Sequence, residues 1–62
     1  MEKPSMKKLA NFIISSAVNM YGSFDNCPND VKSLMLEKVG KRFNVSETDL
    51  MVEITAILVF GE

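Results

Sequence analysis

The chain has 62 residues, 47% hydrophobic and 24% charged, with 7 Lys and Arg against 8 Asp and Glu for a net charge of −1. This composition is too apolar and too balanced for a disordered tail, and the near-zero charge gives no general attraction to nucleic acid. A single Cys and no His exclude an internal disulfide, the common zinc sites and every His-based catalytic triad.

Residues 1–62 read as one small domain. The first predicted helix runs from about Ser5 to Tyr21, with Ser5 as its N-cap after Pro4. Met6, Leu9, Ala10, Ile13, Ala17, Met20 and Tyr21 share one face, extended by Ile14, while Lys8, Asn11, Ser15 and Asn19 lie opposite. Phe12 and Val18 flank the polar stripe and widen the apolar surface. The β-formers within Phe12 to Tyr21 leave a competing reading of that stretch as a strand.

Gly22 to Pro28 is a turn region, in which Gly22 ends the first helix in a left-handed conformation. Phe24 stands alone in this polar stretch and is expected to insert into the core. Asn26 or Cys27 caps the next helix, with Pro28 in its first turn and Asp30 complementing the dipole. That helix runs from about Pro28 to Phe43, with Val31, Leu34, Met35, Val39 and Phe43 inward and Leu36 beside Phe43. Glu37 and Lys41 form an i,i+4 pair on the solvent side, and Asn44 suits the C′ position. Lys38 and Arg42 fall near the apolar face, where their stems can cover core edges while their charges reach water.

Ser46-Glu47-Thr48-Asp49 is a polar connector with room for one helical turn. Leu50 to Phe60 then reads as a strand: Leu50, Val52, Ile54, Ala56, Leu58 and Phe60 line one face, and Met51, Glu53, Thr55, Ile57 and Val59 the other. Its second half is apolar on both faces, so both are expected to be covered.

The expected fold is therefore α+β: two amphipathic helices followed by a C-terminal strand. Such a strand leaves main-chain groups unpaired on both edges. A chain this short also gains little from its own core. Both considerations point to antiparallel pairing of Leu50–Phe60 across the two-fold axis of a homodimer. The alternative is a β-α-β unit in which Phe12–Tyr21 supplies the second strand.

Lys7-Lys8 ahead of Leu9–Val18 superficially suggests a secretory signal. Asn11, Ser15 and Ser16 interrupt the apolar run, Glu2 weakens its basic start, and no cleavage pattern is present. No stretch reaches the roughly 18–20 apolar residues of a membrane span, so a cytoplasmic location is expected. Asn44-Val45-Ser46 matches a glycosylation sequon, which has no meaning without export. Lys3, Lys7 and Lys8 are too few for firm adsorption to an anionic membrane.

Val39 to Leu50 (Val-Gly-Lys-Arg-Phe-Asn-Val-Ser-Glu-Thr-Asp-Leu) resembles the second helix and turn of helix-turn-helix proteins, over about a fifth of the chain. The resemblance implies a recognition helix after the turn, lying in the major groove. The segment in that position carries Glu47, Asp49 and Glu53, with no Lys or Arg after Arg42. Val31 to Ile54 also resembles the helix-then-strand unit of the bacterial cell-division topological specificity factor, through Leu36-Glu37, Lys41, Val45 and Val52. These are mostly core positions, which any helix–strand unit would share.

No residues are arranged for catalysis, and no metal or cofactor is expected. Cys27 at a helix start lacks a partnering His or second Cys. Asp25, Asn26, Asn29 and Asp30 lack the alternating spacing and distal Glu of a calcium loop. The sequence thus points away from an enzyme and towards a small protein-interaction module that binds and regulates or inhibits a larger protein. The alternative is a dimeric, helix-turn-helix-like DNA-binding regulator. Expected self-contacts are Met20, Tyr21, Leu50, Val52, Ile54, Ala56, Leu58 and Phe60. Met51, Glu53 and Thr55, or the edge formed by Lys38 and Arg42, are expected to meet the partner protein. Nucleic acid and membrane are not expected partners.

Overall fold

The computed structural model describes residues 4–61. Glu2 and Lys3, which entered the reading of the basic N-terminal stretch, lie outside the described residues. Among the described residues there are three helices and no strand: α1 (Met6–Tyr21), α2 (Asn29–Phe43) and α3 (Glu47–Phe60). The fold is a three-helix bundle. The expected α+β architecture, the strand-paired homodimer and the β-α-β alternative are all overturned, because Phe12–Tyr21 and Leu50–Phe60 are both helical.

α1 begins as its sequence suggests. Ser5 is extended (φ −69°, ψ 159°), and its hydroxyl oxygen accepts a hydrogen bond from the Lys8 N–H at 3.2 Å. The helix ends at Gly22, whose φ of +88° suits a residue without Cβ, and whose N–H donates to the Val18 carbonyl at 2.9 Å. Leu9, Ala10, Ile13 and Ala17 are buried along one side. Two alanines in that stripe allow close approach of another helix, and α1 makes its most extensive contact with α3.

The α1–α2 connection carries core residues of its own. The Ser23 hydroxyl accepts from the Asn26 N–H at 3.1 Å, and the Cys27 N–H donates to the Phe24 carbonyl at 3.1 Å. This tight loop turns Phe24 and Cys27 inward, where both are buried. The Lys32 ammonium lies 4.7 Å from the centre of the Phe24 ring, within cation–π range. The expected cap of α2 by Asn26 or Cys27 does not form. Pro28 holds the N-cap position with no side-chain bond. Cys27 is committed to the core, and the Asn26 amide instead donates to the Tyr21 carbonyl at 3.4 Å.

α2 buries Leu36, Val39 and Gly40, with Val31, Met35 and Phe43 partly covered. Leu34, expected inward, is exposed, and Leu36, expected at the margin, is buried. The buried stripe follows 36, 39, 40 and 43, so the helix is rotated from the expected orientation. α2 ends at Asn44, which takes left-handed φ/ψ (55°, 51°), tolerable for Asn. The Gly40 carbonyl accepts from the N–H groups of both Asn44 and Val45, the latter at 3.0 Å. Gly40 is also a point of close approach: a Cβ there would lie 2.9 Å from the Val45 carbonyl oxygen.

α3 occupies the segment expected to be connector and strand. Ser46 is its N-cap: the hydroxyl oxygen accepts from the Asp49 N–H at 3.4 Å, and its carbonyl accepts from the Leu50 N–H at 3.0 Å. Glu47 and Asp49 place negative charge in the first turn, where the helix dipole favours it. Half-buried Val45 precedes the cap, and Leu50 stands at the fourth helical position, the placement of a hydrophobic staple. Leu50 and Ile54 are fully buried and Ile57 packs against them, an i, i+4, i+7 pattern.

The physical reason for the correction is main-chain hydrogen bonding. A lone strand would leave its N–H and C=O groups unmatched along both edges, whereas a helix satisfies them within the segment. Here that advantage, together with burial of Leu50 and Ile54 against α1 and α2, outweighs the β propensity of Val, Ile and Thr. The core is apolar throughout among the described residues, with no buried polar side chain and no buried unpaired side-chain N or O. The resemblance to the topological specificity factor fails for the same reason, since its strand corresponds to helix here.

Candidate functional site

α3 is apolar around most of its circumference. At about 100° per residue, Met51, Val52, Thr55, Leu58 and Val59 fall within roughly 120° of arc, facing away from the side that buries Leu50, Ile54 and Ile57. Val52 is 63% exposed and Val59 68%. Phe60, in the last turn and outside that arc, is 74% exposed. A helix apolar on both sides ordinarily has both sides covered, yet the described residues cover only one side of α3.

The residues expected at an interface therefore separate into groups. Met51, Val52, Thr55 and Leu58 come together on the outward stripe. Leu50 and Ile54 lie inside the chain's own core. Glu53 and Ala56 are half-buried at the flanks of α3, and Phe60 projects from its last turn. Met20 and Tyr21 are exposed at the end of α1. Val59 belongs to the stripe although strand alternation assigns it to the opposite face from Val52; the i, i+7 spacing of Val52 and Val59 is the signal that groups them.

Apart from this stripe, a concave surface lies between the start of α1 and the end of α2. It is an open groove of about 410 Å³. Pro4, Lys8, Leu9 and Phe12 form one side, and Lys38, Val39, Arg42 and Phe43 the other. Lys38 and Arg42, expected near the apolar face of α2, thus sit at the groove rim. Their i,i+4 spacing places both on one side of α2, and Val39 and Phe43 repeat that spacing one residue along. Phe12 is 63% exposed beside this groove; its position between the apolar and polar stripes of α1 was its sequence signal. Lys8 joins the same rim from α1.

The connection between α2 and α3 spans Asn44 to Ser46, three residues, as in a helix-turn-helix. Across that turn, α3 bears Glu47, Asp49 and Glu53 and no Lys or Arg. The cations of Lys38 and Arg42 are on α2, at the groove shared with α1. Among the described residues one ion pair is present, Lys41 to Glu37 at 3.2 Å, and both side chains are well exposed. Among the described residues no cluster of three His, Cys, Asp or Glu is arranged for a metal ion. No helix of the described chain is long and apolar enough to cross a membrane.

Comparisons with protein-family models, with curated proteins and with solved structures find no match to this chain. The class of the protein rests on its own architecture, a three-helix bundle whose described residues leave an apolar stripe of α3 exposed.

Proposed function

We propose that this chain is a protein-interaction module that binds and regulates or inhibits a larger protein, and that it self-associates as a homodimer through α3. The observation that supports this reading is the outward stripe of Met51, Val52, Leu58 and Val59 on a helix whose other side already builds the core. Burial of such side chains contributes about 25 cal/mol per Å² of apolar area removed from water. For a domain this small, that contribution rivals what its own core supplies. A non-enzymatic role fits a surface whose exposed feature is apolar area rather than a set of converging acid, base or nucleophile groups. A reducing cytoplasmic setting suits the free thiol of buried Cys27.

The DNA-binding alternative draws support from the three-residue α2–α3 turn. Its recognition helix, however, would bring Glu47, Asp49 and Glu53 towards phosphates without a compensating cation. We therefore favour a protein partner.

The test is light scattering after size-exclusion chromatography. The wild-type chain is expected to run at twice its 6.9 kDa mass, and Val52→Glu with Val59→Glu to run as a monomer with an unchanged helical spectrum. The same variant should lose a protein captured by the wild type from the source lysate. A wild-type chain that stays monomeric at about millimolar concentration, with capture indifferent to the double substitution, overturns the proposal. So does retarded migration of random duplex DNA at low salt that is lost as salt is added.

A further inference from the structure

The groove between α1 and α2 is separate from the α3 stripe and has a different chemistry. Its walls are apolar, with Leu9 and Phe12 on one side and Phe43 on the other, and its charged lining is cationic, with Lys8 from α1 and Lys38 and Arg42 from α2. Among the described residues no carboxylate lines it. The Arg42 guanidinium carbon lies 5.8 Å from the centre of the Phe43 ring, so the charge stays close to the apolar wall. An occupant must therefore offer a bulky apolar group to the cleft and negative charge to both rims.

We infer that this groove binds an acidic amphipathic segment of another protein. A large apolar side chain lies between Phe12 and Phe43, and flanking carboxylates meet Lys8, Lys38 and Arg42. The i,i+4 spacing of Lys38 and Arg42 matches carboxylates one turn apart on a helical ligand, a recurrent way of seating an amphipathic helix in a groove. Charge complementarity selects this occupant. A nucleic acid would set its phosphates against apolar walls. A bilayer offers a plane, whereas here the cations stand on two helices with the apolar surface recessed between them. Cations at the rim of an apolar cleft chiefly steer association and set orientation, while the aromatic contacts hold the segment.

The probe is a fluorescein-labelled amphipathic peptide of about four helical turns, with Leu and Phe at helical spacing and Glu beside them; its control has every Glu replaced by Lys. Anisotropy titrations use the full chain and, to keep this inference distinct from self-association through α3, also the Val52→Glu, Val59→Glu variant. The acidic peptide is expected to bind both proteins, at least about tenfold tighter than the lysine peptide, and more weakly as salt is added. Lys38→Glu with Arg42→Glu should weaken it about tenfold or more, and Phe12→Ala should weaken it too, with circular dichroism unchanged because these side chains are exposed. Equal affinity for the two peptides, no binding of the acidic one, or indifference to both sets of substitutions overturns the inference. So does preferential binding of phosphatidylglycerol vesicles or duplex DNA. A shift of the groove resonances of Phe12 and Phe43 on self-dilution also overturns it, because a second copy then fills the cleft.

Discussion

Substituting Gly40 by alanine sets two effects of opposite sign against each other. Alanine is better than glycine in a helix by about 1 kcal/mol, so intrinsic preference alone makes Gly40→Ala stabilising. The added Cβ, however, would stand 2.9 Å from the Val45 carbonyl oxygen and 3.6 Å from Glu47 Cγ. The second contact is ordinary; the first is too close and is with main chain. That main chain has little slack, because the Val45 N–H is bonded to the Gly40 carbonyl and Asn44 is fixed in the left-handed region. Relief requires moving the Asn44–Ser46 turn, and with it the start of α3 and the seat of Leu50. Overpacking of this kind costs about 1–3 kcal/mol, more than the propensity gain. We expect net destabilisation of about 1 kcal/mol and a melting temperature lower by about 4–8 °C for a chain of this size. Thermal and urea unfolding followed at 222 nm measure it, with Ser33→Ala on the exposed side of α2 as the control that shows propensity alone. A higher melting temperature for Gly40→Ala would refute the close approach of the α2 end to the chain entering α3.

Five further substitutions, at four positions, test α3 and the surface. Ser46→Ala removes the N-cap acceptor of α3 and should cost about 1 kcal/mol in urea unfolding, whereas Ser46→Asp should restore most of it. Val52 and Ile54 would face the same side of a strand but lie far apart around a helix. Val52→Ala should therefore change monomer stability by less than about 0.5 kcal/mol, while Ile54→Ala should cost about 2–5 kcal/mol and leave much of the chain unfolded by circular dichroism. Glu37→Gln removes the exposed pair with Lys41 and should shift unfolding by a few tenths of a kcal/mol at most, an effect that vanishes with added salt.

The first two helices were legible from a start and a polar stripe in α1 and from the residues that stop each of them. Ser5, Gly22 and Asn44 have local chemistry that survives without tertiary context, and the polar stripe of Lys8, Asn11, Ser15 and Asn19 favoured helix over the competing strand reading of Phe12–Tyr21. The last segment lacked that contrast. When nearly every residue from Leu50 to Phe60 is apolar, periods of 2 and 3.6 fit equally well, and β-branched content then tips the reading towards a strand. The informative signal lay upstream, in Ser46-x-x-Asp49 after Val45, a helix-start pattern whose polar residues equally suit a connector. In α2 the near-continuous Val31, Leu34, Met35, Leu36 set allowed two orientations, and only packing decided between Leu34 and Leu36. Lys38 and Arg42 were legible as lying beside the apolar face. The groove they border was not, because it needs Phe12 and Lys8 from a helix whose placement the sequence does not specify.

The loop that folds Phe24 and Cys27 inward gives the chain an internal reporter. Cys27 is 3% exposed, so alkylation by iodoacetamide must wait for an excursion that lifts the loop away. Comparing the labelling rate with that of an unfolded thiol converts it into the free energy of that excursion. Because Phe24 leaves the interior with its neighbour, the same measurement shows whether the loop lifts alone or only when the three helices come apart.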